Sequence, residues 1–389
     1  MPFRVGTLMS LREEFVERAS REGANVSALC REYEVGRRTG YRWLRRARAG
    51  EPLADRSRRP LHSSGRTPPQ VEARVVALRR EHPTWGGRKL ARRLRDQGLQ
   101  GVPAPSTVAA ILRRHGLLDG PGADEPRAFI RFEHEHPNDL WQMDFKGHVP
   151  CGDGRCHPLT VLDDHSRYNV VLRACADERT DTVREALTAA FREHGLPRRI
   201  ACDNGAPWGN GPGDRYTPLV VWLLRLGVTV SHSRPYHPQT LGKEERFHRT
   251  LKAEVLRTPL EDLADGEARF VRWRAVYNHE RPHEALGGDV PASRYYPSLR
   301  RYPDRLPEPT YQPGDLVRKV QMGGALSVHG HTVRIPRAFR GQSVALRPTE
   351  DDGRFAVLFA TVQIAEVDLT SSPRGVSHVP EHMAPISPV

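Results

Sequence analysis

The chain has 389 residues, which is enough for roughly two to four domains. Hydrophobic residues make up 38% of it. No apolar run reaches the ~18 residues that a membrane-spanning helix needs, which excludes such a helix, and no membrane partner is expected. The N-terminal segment lacks the apolar stretch of a secretory signal, and the five cysteines are scattered. We therefore expect a cytoplasmic protein without a disulfide framework.

The net charge of +13 is confined to the first third of the chain. Residues 1–120 carry 25 Lys and Arg against 12 Asp and Glu, whereas residues 121–389 carry 35 of each sign. Such asymmetry predicts that the basic third binds a polyanion, most simply nucleic acid. The alternative is a basic surface that serves only solubility.

The first basic segment, residues 8–50, predicts a helix-turn-helix of three short helices. Ser10 and Glu13 have the spacing of a helix-capping box, and further helices are predicted over 27–34 and 37–48. The last helix of such a unit enters the major groove of DNA, although three helices packed only for stability would show the same pattern. The outward-facing candidates for DNA contact are Arg37, Arg38, Thr39, Arg42 and Arg45.

A second trihelical pattern covers residues 67–118, after a linker rich in proline, glycine and serine. Leu90 and Leu94 mark one helix, and Ser106 is placed to cap the last helix. Trp85 is predicted to fill the core of this module. Two basic modules joined by a flexible linker can bind one extended DNA site, because each raises the effective concentration of the other.

Two predicted strands of the following segment each carry a single acid. Asp144 lies among the apolar and aromatic residues of strand 140–146, where a lone carboxylate is costly unless it is paired or binds a cation. Asp203 ends the strand 199–203 and precedes a glycine turn. An acid at the carboxyl end of a strand lies where open α/β sheets bind their ligands.

A third acid occurs on a helix predicted in the second half of residues 234–252. Glu245 is followed by His248, Arg249 and Lys252 at i+3, i+4 and i+7, so the four side chains share one face. This face suits a metal ligand beside a phosphate backbone. An ordinary solvated, salt-bridging helix would show the same pattern.

These motifs together resemble the DDE transposases of bacterial insertion sequences, whose core is similar to that of retroviral integrases. The resemblance covers about residues 8–300 and is carried by Trp141-Gln-Met-Asp144, Asp203-Asn-Gly205 and Gly242-Lys-Glu-Glu-Arg-Phe-His248. The segment Trp85-Gly-Gly-Arg-Lys89 resembles the DNA-binding arms of these transposases, which adds Arg88 and Lys89 to the DNA-binding candidates. The gap between Asp203 and Glu245 is longer than in the retroviral pattern, and the Gly- and Pro-rich loop 207–218 absorbs the excess.

The resemblance implies a multidomain protein. All-α helix-turn-helix modules at 8–50 and 67–118 would precede an α/β RNase H-like core with a mixed sheet at 137–300. Five short alternating strands predict a small β-barrel at 310–370, and the proline-containing residues 371–389 predict a disordered tail.

The resemblance also implies that Asp144, Asp203 and Glu245 are catalytic and hold two Mg²⁺ or Mn²⁺ ions. Three hard oxygen ligands suit these ions better than zinc, and two such ions can stabilise the attacking and leaving oxygens of an in-line displacement. Water would cleave the element end, and the freed 3′-hydroxyl would attack the target. The expected partners are double-stranded DNA, at element ends and target, and further copies of the chain on that DNA, with His248, Arg249 and Lys252 contacting phosphate. The expected place of action is the bacterial nucleoid.

Two adjacent glutamates compete for the third catalytic position. Because a helix turns about 100° per residue, Glu244 and Glu245 cannot face one metal equally. The basic face favours Glu245, and the family pattern places its acid directly before Arg-Phe-His. Glu244 precedes Phe247 and Leu251 and is predicted to interact mainly with the helix dipole, so that its replacement costs little.

Other residues of the predicted core could suggest a zinc site or further metal ligands, and the whole chain allows a second function. Cys151 and Cys156, with nearby histidines, do not have a recognised zinc spacing and are predicted to bound a hairpin. Asp163 and Asp164 end a strand, and they are predicted to serve a turn or structural hydrogen bonds, with entry into the metal site as the alternative. The alternative function is a DNA-binding regulator whose integrase-like domain no longer cuts, although a retired site has no reason to keep costly carboxylates.

Overall fold

The structure, a computed structural model, describes residues 8–55, 66–118, 133–152, 154–209, 215–233, 242–370 and 377–378. The chain divides after Arg66 into two compact units. None of the described helices is long and apolar enough to cross a membrane. Most of the predicted linker, most of the predicted disordered tail 371–389 and the first half of the block 234–252 lie outside the described residues.

The first unit contains three helices, α1 (Leu8–Ala19), α2 (Val26–Glu32) and α3 (Arg37–Arg48). All three helices were predicted, but the capping box is wrong because α1 begins two residues before Ser10. Asn25 instead caps α2 by accepting a hydrogen bond from a backbone N–H of its first turn. The core of this unit contains Phe15, Ala19, Leu29, Cys30, Trp43 and Leu44.

The second unit begins with another trihelical module of α4 (Pro69–Glu81), α5 (Gly87–Asp96) and α6 (Pro105–Arg114). Trp85 is fully buried in its core, as predicted. The capping prediction is wrong because α6 starts before Ser106, with a proline in its first turn. The finer domain boundaries within residues 67–389 remain predictions.

The centre of the second unit is a mixed sheet of six strands, and the prediction of such a sheet is confirmed. Its strands are β1 (Leu140–Phe145), β2 (Val149–Cys151), β3 (Gly154–Asp163), β4 (Asn169–Cys175), β5 (Arg199–Cys202) and β6 (Thr229–His232). Strand β3 pairs antiparallel with β1, β2 and β4, whereas β5 pairs parallel with β1 and β6. Strand β2 forms the predicted hairpin with β3. With β2 counted, Asp203 follows the fifth strand along the chain.

Helices cover both faces of this sheet. On one face, α7 (Thr180–His194) and α8 (Pro218–Arg225) pack against Trp141 and Met143 of β1. On the other face lie α9 (Gly242–Glu254) and α10 (Leu263–His279). Side chains alternate along a strand, so the burial of Trp141 and Met143 under α7 directs Asp144 toward the face that α9 covers.

The C-terminal part contains two small sheets, and the predicted closed barrel is not observed. Strands β7 (Leu316–Lys319), β10 (Ser343–Pro348), β11 (Arg354–Phe359) and β12 (Val362–Asp368) form one sheet. Strands β8 (Ala325–Val328), β9 (His331–Arg334) and β13 (Ser377–His378) form the other. Residues 355–362 belong to two strands, β11 and β12, and not to one. Ala360 between them adopts a positive φ of 52° and turns the chain back.

Candidate active site and nucleic-acid interface

The pairing of β1 with β5 brings two of the predicted acids together. The parallel register joins Trp141 to Ile200 and Gln142 to Ala201. Continued for two residues, this register places Asp144 beside Asp203 at the carboxyl ends of neighbouring strands. Parallel strands end at the same edge of a sheet, which is where α/β folds bind their ligands.

The turn after β5 holds Asp203 in a defined orientation. Its Oδ1 accepts a hydrogen bond from the backbone N–H of Gly205 at 2.9 Å and another from the indole of Trp208. The Trp208 ring stacks on Phe145, with ring centroids 5.4 Å apart. Asp203 therefore keeps its carboxylate at the sheet edge and only partly exposed.

Electrostatic repulsion between the two aspartates is the main unusual property of this edge. Partial burial, reinforced by the negative charges of Asp203 and Glu178, raises the pKa of Asp144 to about 7. The nearest basic group, His248, has its Nδ1 3.9 Å from Asp144 Oδ2. Burial and the charge of Lys146 lower the pKa of His248 to about 4, so the imidazole is neutral and does not compensate the carboxylate.

The carboxylate oxygens of Asp144 and Asp203 fit a hard divalent cation. Carboxylate oxygens are the ligands that Mg²⁺ and Mn²⁺ prefer, and a cation would relieve the repulsion between Asp144 and Asp203. In the part of the chain that the structure describes, however, no group of three or more His, Cys, Asp or Glu side chains is arranged to hold a metal ion. The fold thus brings together two of the three predicted ligands, and Glu245 is not gathered with them.

Helix α9 is anchored at its first turn and along its apolar face. Lys243 forms an ion pair with Asp164 at the turn after β3. Phe247 and Leu251 are fully buried against α10. Asp164 also accepts hydrogen bonds from the side chain of Gln142 and a backbone N–H, which confirms that it has a structural role.

The two adjacent glutamates of α9 face in different directions. Glu244 is fully buried, and its Oε2 lies 3.0 Å from the hydroxyl of Thr160 on β3. The prediction that Glu244 serves mainly the helix dipole is therefore wrong. Glu245 is exposed and makes no hydrogen bond or ion pair with the described residues, and Arg249 and Lys252 are exposed as well.

The predicted DNA-contacting side chains of the first unit are available to solvent. On α3, Trp43 and Leu44 face the core, whereas Arg37, Arg38, Arg42 and Arg45 are exposed and Thr39 is half-buried. The strong separation of the two faces follows from the helical period. This helix therefore presents a row of guanidinium groups that no acid of the described unit neutralises.

The basic helix α5 of the second module is held differently. Its arginines face acids of the core: Arg92 lies 3.0 Å from Asp289, and Arg93 pairs with Glu280. Lys89 is partly buried beside Arg281, which lowers its pKa to about 8. Arg88, the other predicted DNA contact on α5, is mostly exposed and 3.8 Å from Glu284.

Helix α6 presents the free surface of that module. Val108, Ile111 and Leu112 are buried in the module core, whereas Ser106, Thr107, Ala110 and Arg113 are exposed. In a helix-turn-helix the last helix enters the major groove. The helix itself was predicted, but its exposed residues were not among the predicted DNA contacts, because they carry less charge than those of the basic α5.

The contacts of three residues at this site, Thr160, Glu244 and Trp208, were not predicted from the sequence. Thr160 interrupts an apolar strand, and a buried polar side chain in such a strand requires a partner, which was a usable signal. Glu244 lies three and seven residues before Phe247 and Leu251, so its burial was also implied by the helical period. Trp208 could not have been found, because its contact with Asp203 depends on the shape of a loop.

Known protein families match the helical modules, the central sheet region and the C-terminal strands. Residues 134–238 and 226–291 match two integrase core domain families. Residues 315–374 match the C-terminal domain of IS481 family transposases. In the basic part, residues 11–60 match a helix-turn-helix domain and residues 39–112 a homeodomain-like domain.

Relatives come from bacterial insertion elements. The chain is 26% identical over 250 residues to a 31.7-kDa protein of insertion element IS407 from Burkholderia multivorans, covering 62% of this chain and 87% of the relative. It is 29% identical over 157 residues to a 39.2-kDa protein of IS476 from Xanthomonas euvesicatoria, covering 40% and 44%. Among solved structures, the HTLV-2 integrase catalytic core domain in complex with magnesium matches with 15% identity and a TM-score of 0.31, over 42% of this chain and 99% of that one.

The domain order and the insertion-element relatives lead to the same assignment. Helix-turn-helix domains come first, an integrase core follows, and an IS481-type domain comes last. The chain is therefore similar to the DDE transposases of bacterial insertion sequences, and its core matches the integrase core families.

Proposed function

We propose that the protein is an active transposase that binds the terminal repeats of its element, cleaves the DNA at the element ends and joins the freed 3′-hydroxyl to target DNA. The observation that carries this proposal is the pair of aspartates at the carboxyl ends of β1 and β5. The fold brings Asp144 and Asp203 together, and partial burial and the charge of Asp203 raise the pKa of Asp144. A sheet edge of this kind is suited to cation-dependent chemistry on a phosphate ester.

The residues that would hold the cations are Asp144, Asp203 and Glu245, with two Mg²⁺ or Mn²⁺ ions per site. When bound, such ions neutralise the charge that develops on the attacking and leaving oxygens of the phosphodiester. Glu245 is a better third ligand than Glu244, because a ligand that meets both the cation and DNA must reach the surface. The chain's own residues orient these carboxylates: Trp208 and Gly205 hold Asp203.

DNA would lie along exposed cationic surfaces. Arg249 and Lys252 follow Glu245 on the exposed face of α9 and would hold the phosphate backbone near the acids. The exposed residues of α3 and α6 would read the element ends in the major groove. Arg92 and Arg93 on α5, already paired with core acids, would contribute to the position of the module and not to DNA affinity.

We expect that neutralising any of the three acids abolishes chemistry and spares DNA binding. Asp144→Asn, Asp203→Asn and Glu245→Gln should each lower nicking and strand transfer at least about a hundredfold, because the cations lose a charged ligand. Labelled element ends, assayed for nicking and for gel-shift affinity with Mg²⁺, provide both measurements. An Asp144→Asn variant that still nicks would overturn the proposal, and a parent protein that binds ends but never nicks would indicate the retired regulator.

The raised pKa of Asp144 predicts a pH-dependent instability of the cation-free protein. Because the folded state binds this proton more tightly than the unfolded state, stability is lost as pH rises from about 4 to about 7. Asp144→Asn removes that loss, so in EDTA it should stabilise the chain by about 1–3 kcal/mol more at pH 8 than at pH 5. Urea unfolding at both pH values tests this, with the exposed Asp304→Asn as a charge-matched control. Equal effects at the two pH values would mean that Asp144 keeps an ordinary pKa.

Salt dependence should separate the two kinds of basic helix. Arg42→Ala on α3 and Arg113→Ala on α6 should weaken binding to element ends and reduce the slope of log affinity against log salt by about 0.9 each, as expected for one lost phosphate contact. Arg92→Ala should leave the slope unchanged, because its guanidinium is paired with Asp96 and Asp289. A fall in slope for Arg92→Ala as large as for Arg113→Ala would show that α5 contacts DNA directly.

Joining two element ends to one target needs at least two active sites, so we propose a homo-oligomer on DNA. Light scattering of the protein with paired end DNA should give at least two chains per complex. A complex of one chain that still completes strand transfer contradicts this assembly.

A further inference from the structure

The proposed chemistry leaves Glu244 without a role, although its position is unusual. It is the most buried carboxylate near the site, with no exposed surface, and it lies one turn before His248 on the helix that covers Asp144. Its neighbours toward the end of α9 are the core residues Phe247 and Leu251. An acid in such surroundings is costly, so a contact that needs it is expected.

Thr160 supplies that contact. This residue is the direct partner of Asp144 in the antiparallel pairing of β1 with β3. Its hydroxyl oxygen lies 2.9 Å from the backbone oxygen of Asp144, 3.0 Å from Oε2 of Glu244 and 2.8 Å from Nε2 of His248. One hydroxyl therefore joins the strand that carries Asp144 to the helix that carries Glu244 and His248.

Three partners define the position of this hydroxyl. A hydroxyl donates one hydrogen bond and accepts two, so three partners at hydrogen-bond distance match its full capacity. Removing any one of them leaves the hydroxyl free to turn away from the other two.

The other side of His248 faces the site. Its Nδ1 lies 3.9 Å from Asp144 Oδ2, while its Nε2 contacts Thr160. The imidazole therefore lies between Thr160 and the carboxylate, and a displaced Thr160 hydroxyl changes the orientation of the ring beside Asp144.

We propose that Glu244 is a positioning residue for the cation site: through its hydrogen bond with Thr160, it fixes the backbone at Asp144 and the orientation of His248. This inference rests on the proposed function, because it concerns the same cation-binding edge. It differs from a ligand role, since the buried carboxyl of Glu244 acts through Thr160. It also differs from a packing role, since a side chain of equal size without a hydrogen-bonding group would not replace it.

A packing role and a positioning role predict different results for two variants of similar size. Glu244→Met keeps the volume of the side chain and removes its hydrogen-bonding group, which leaves Thr160 with one partner fewer. Glu244→Gln keeps both the volume and a hydrogen-bonding group. A residue that served only packing would give the same cation affinity in both variants.

The test compares Glu244→Met with Glu244→Gln, which keeps a donor, in the full-length protein. Binding of Mn²⁺, followed by the electron paramagnetic resonance signal of the free ion, should weaken at least about tenfold in Glu244→Met and stay within about threefold of the parent in Glu244→Gln. Nicking of element ends should follow the same order. Thr160→Val, which removes the hydroxyl and keeps the shape, should match Glu244→Met and takes its place if the latter fails to fold.

Two results would overturn the inference. One is Mn²⁺ affinity and nicking within threefold of the parent in both Glu244→Met and Thr160→Val. The other is equal damage in Glu244→Gln and Glu244→Met, which would assign Glu244 to ligation by its charge. Asp144→Asn separates these failures from failure of the proposed function: if Asp144→Asn still nicks, the site itself is misassigned, whatever the Glu244 variants do.

Discussion

The parallel pairing of β1 with β5 is the constraint on which the site depends. It ends two central strands at one edge, and its register, continued for two residues, places Asp144 beside Asp203. Partial burial, reinforced by the negative charges of Asp203 and Glu178, raises the pKa of Asp144 to about 7. Apolar cores on both faces of the sheet fix these strands. A divalent cation at this edge would turn the repulsion into attraction.

Helix α9 closes the same edge from the opposite face, and its placement decides what each side chain does. Lys243 and Asp164 fix its first turn, while Phe247 and Leu251 fix its rotation about its own axis. With that rotation set, Glu244 must point inward to Thr160 and Glu245 must point outward. A rotation of one residue, about 100°, would exchange the two glutamates, so the apolar packing of α9 selects the acid that can reach DNA.

The basic residues divide into two groups by what faces them. On α3, Arg37, Arg38, Arg42 and Arg45 face solvent, and their charge is available to a polyanion. On α5 the charges of Arg92 and Arg93 are already matched by Asp289 and Glu280. Counterion release on DNA binding comes only from cations that are not paired within the protein. Net charge therefore overestimates the DNA-binding surface of the second module.

Local patterns in the sequence predicted the helices of both N-terminal modules and the central strands, because periodicity depends on near neighbours in the chain. They also marked the two aspartates, because each is a lone acid in or at the end of an apolar strand. Only the tertiary structure decided which glutamate of α9 is buried, since that depends on the packing of Phe247 against α10. It also decided that α5 faces the core and that the C-terminal strands form two sheets. Thr160, the strand partner of Asp144, contacts Glu244 across 84 residues of sequence, and no local pattern records a hydrogen bond between segments so far apart.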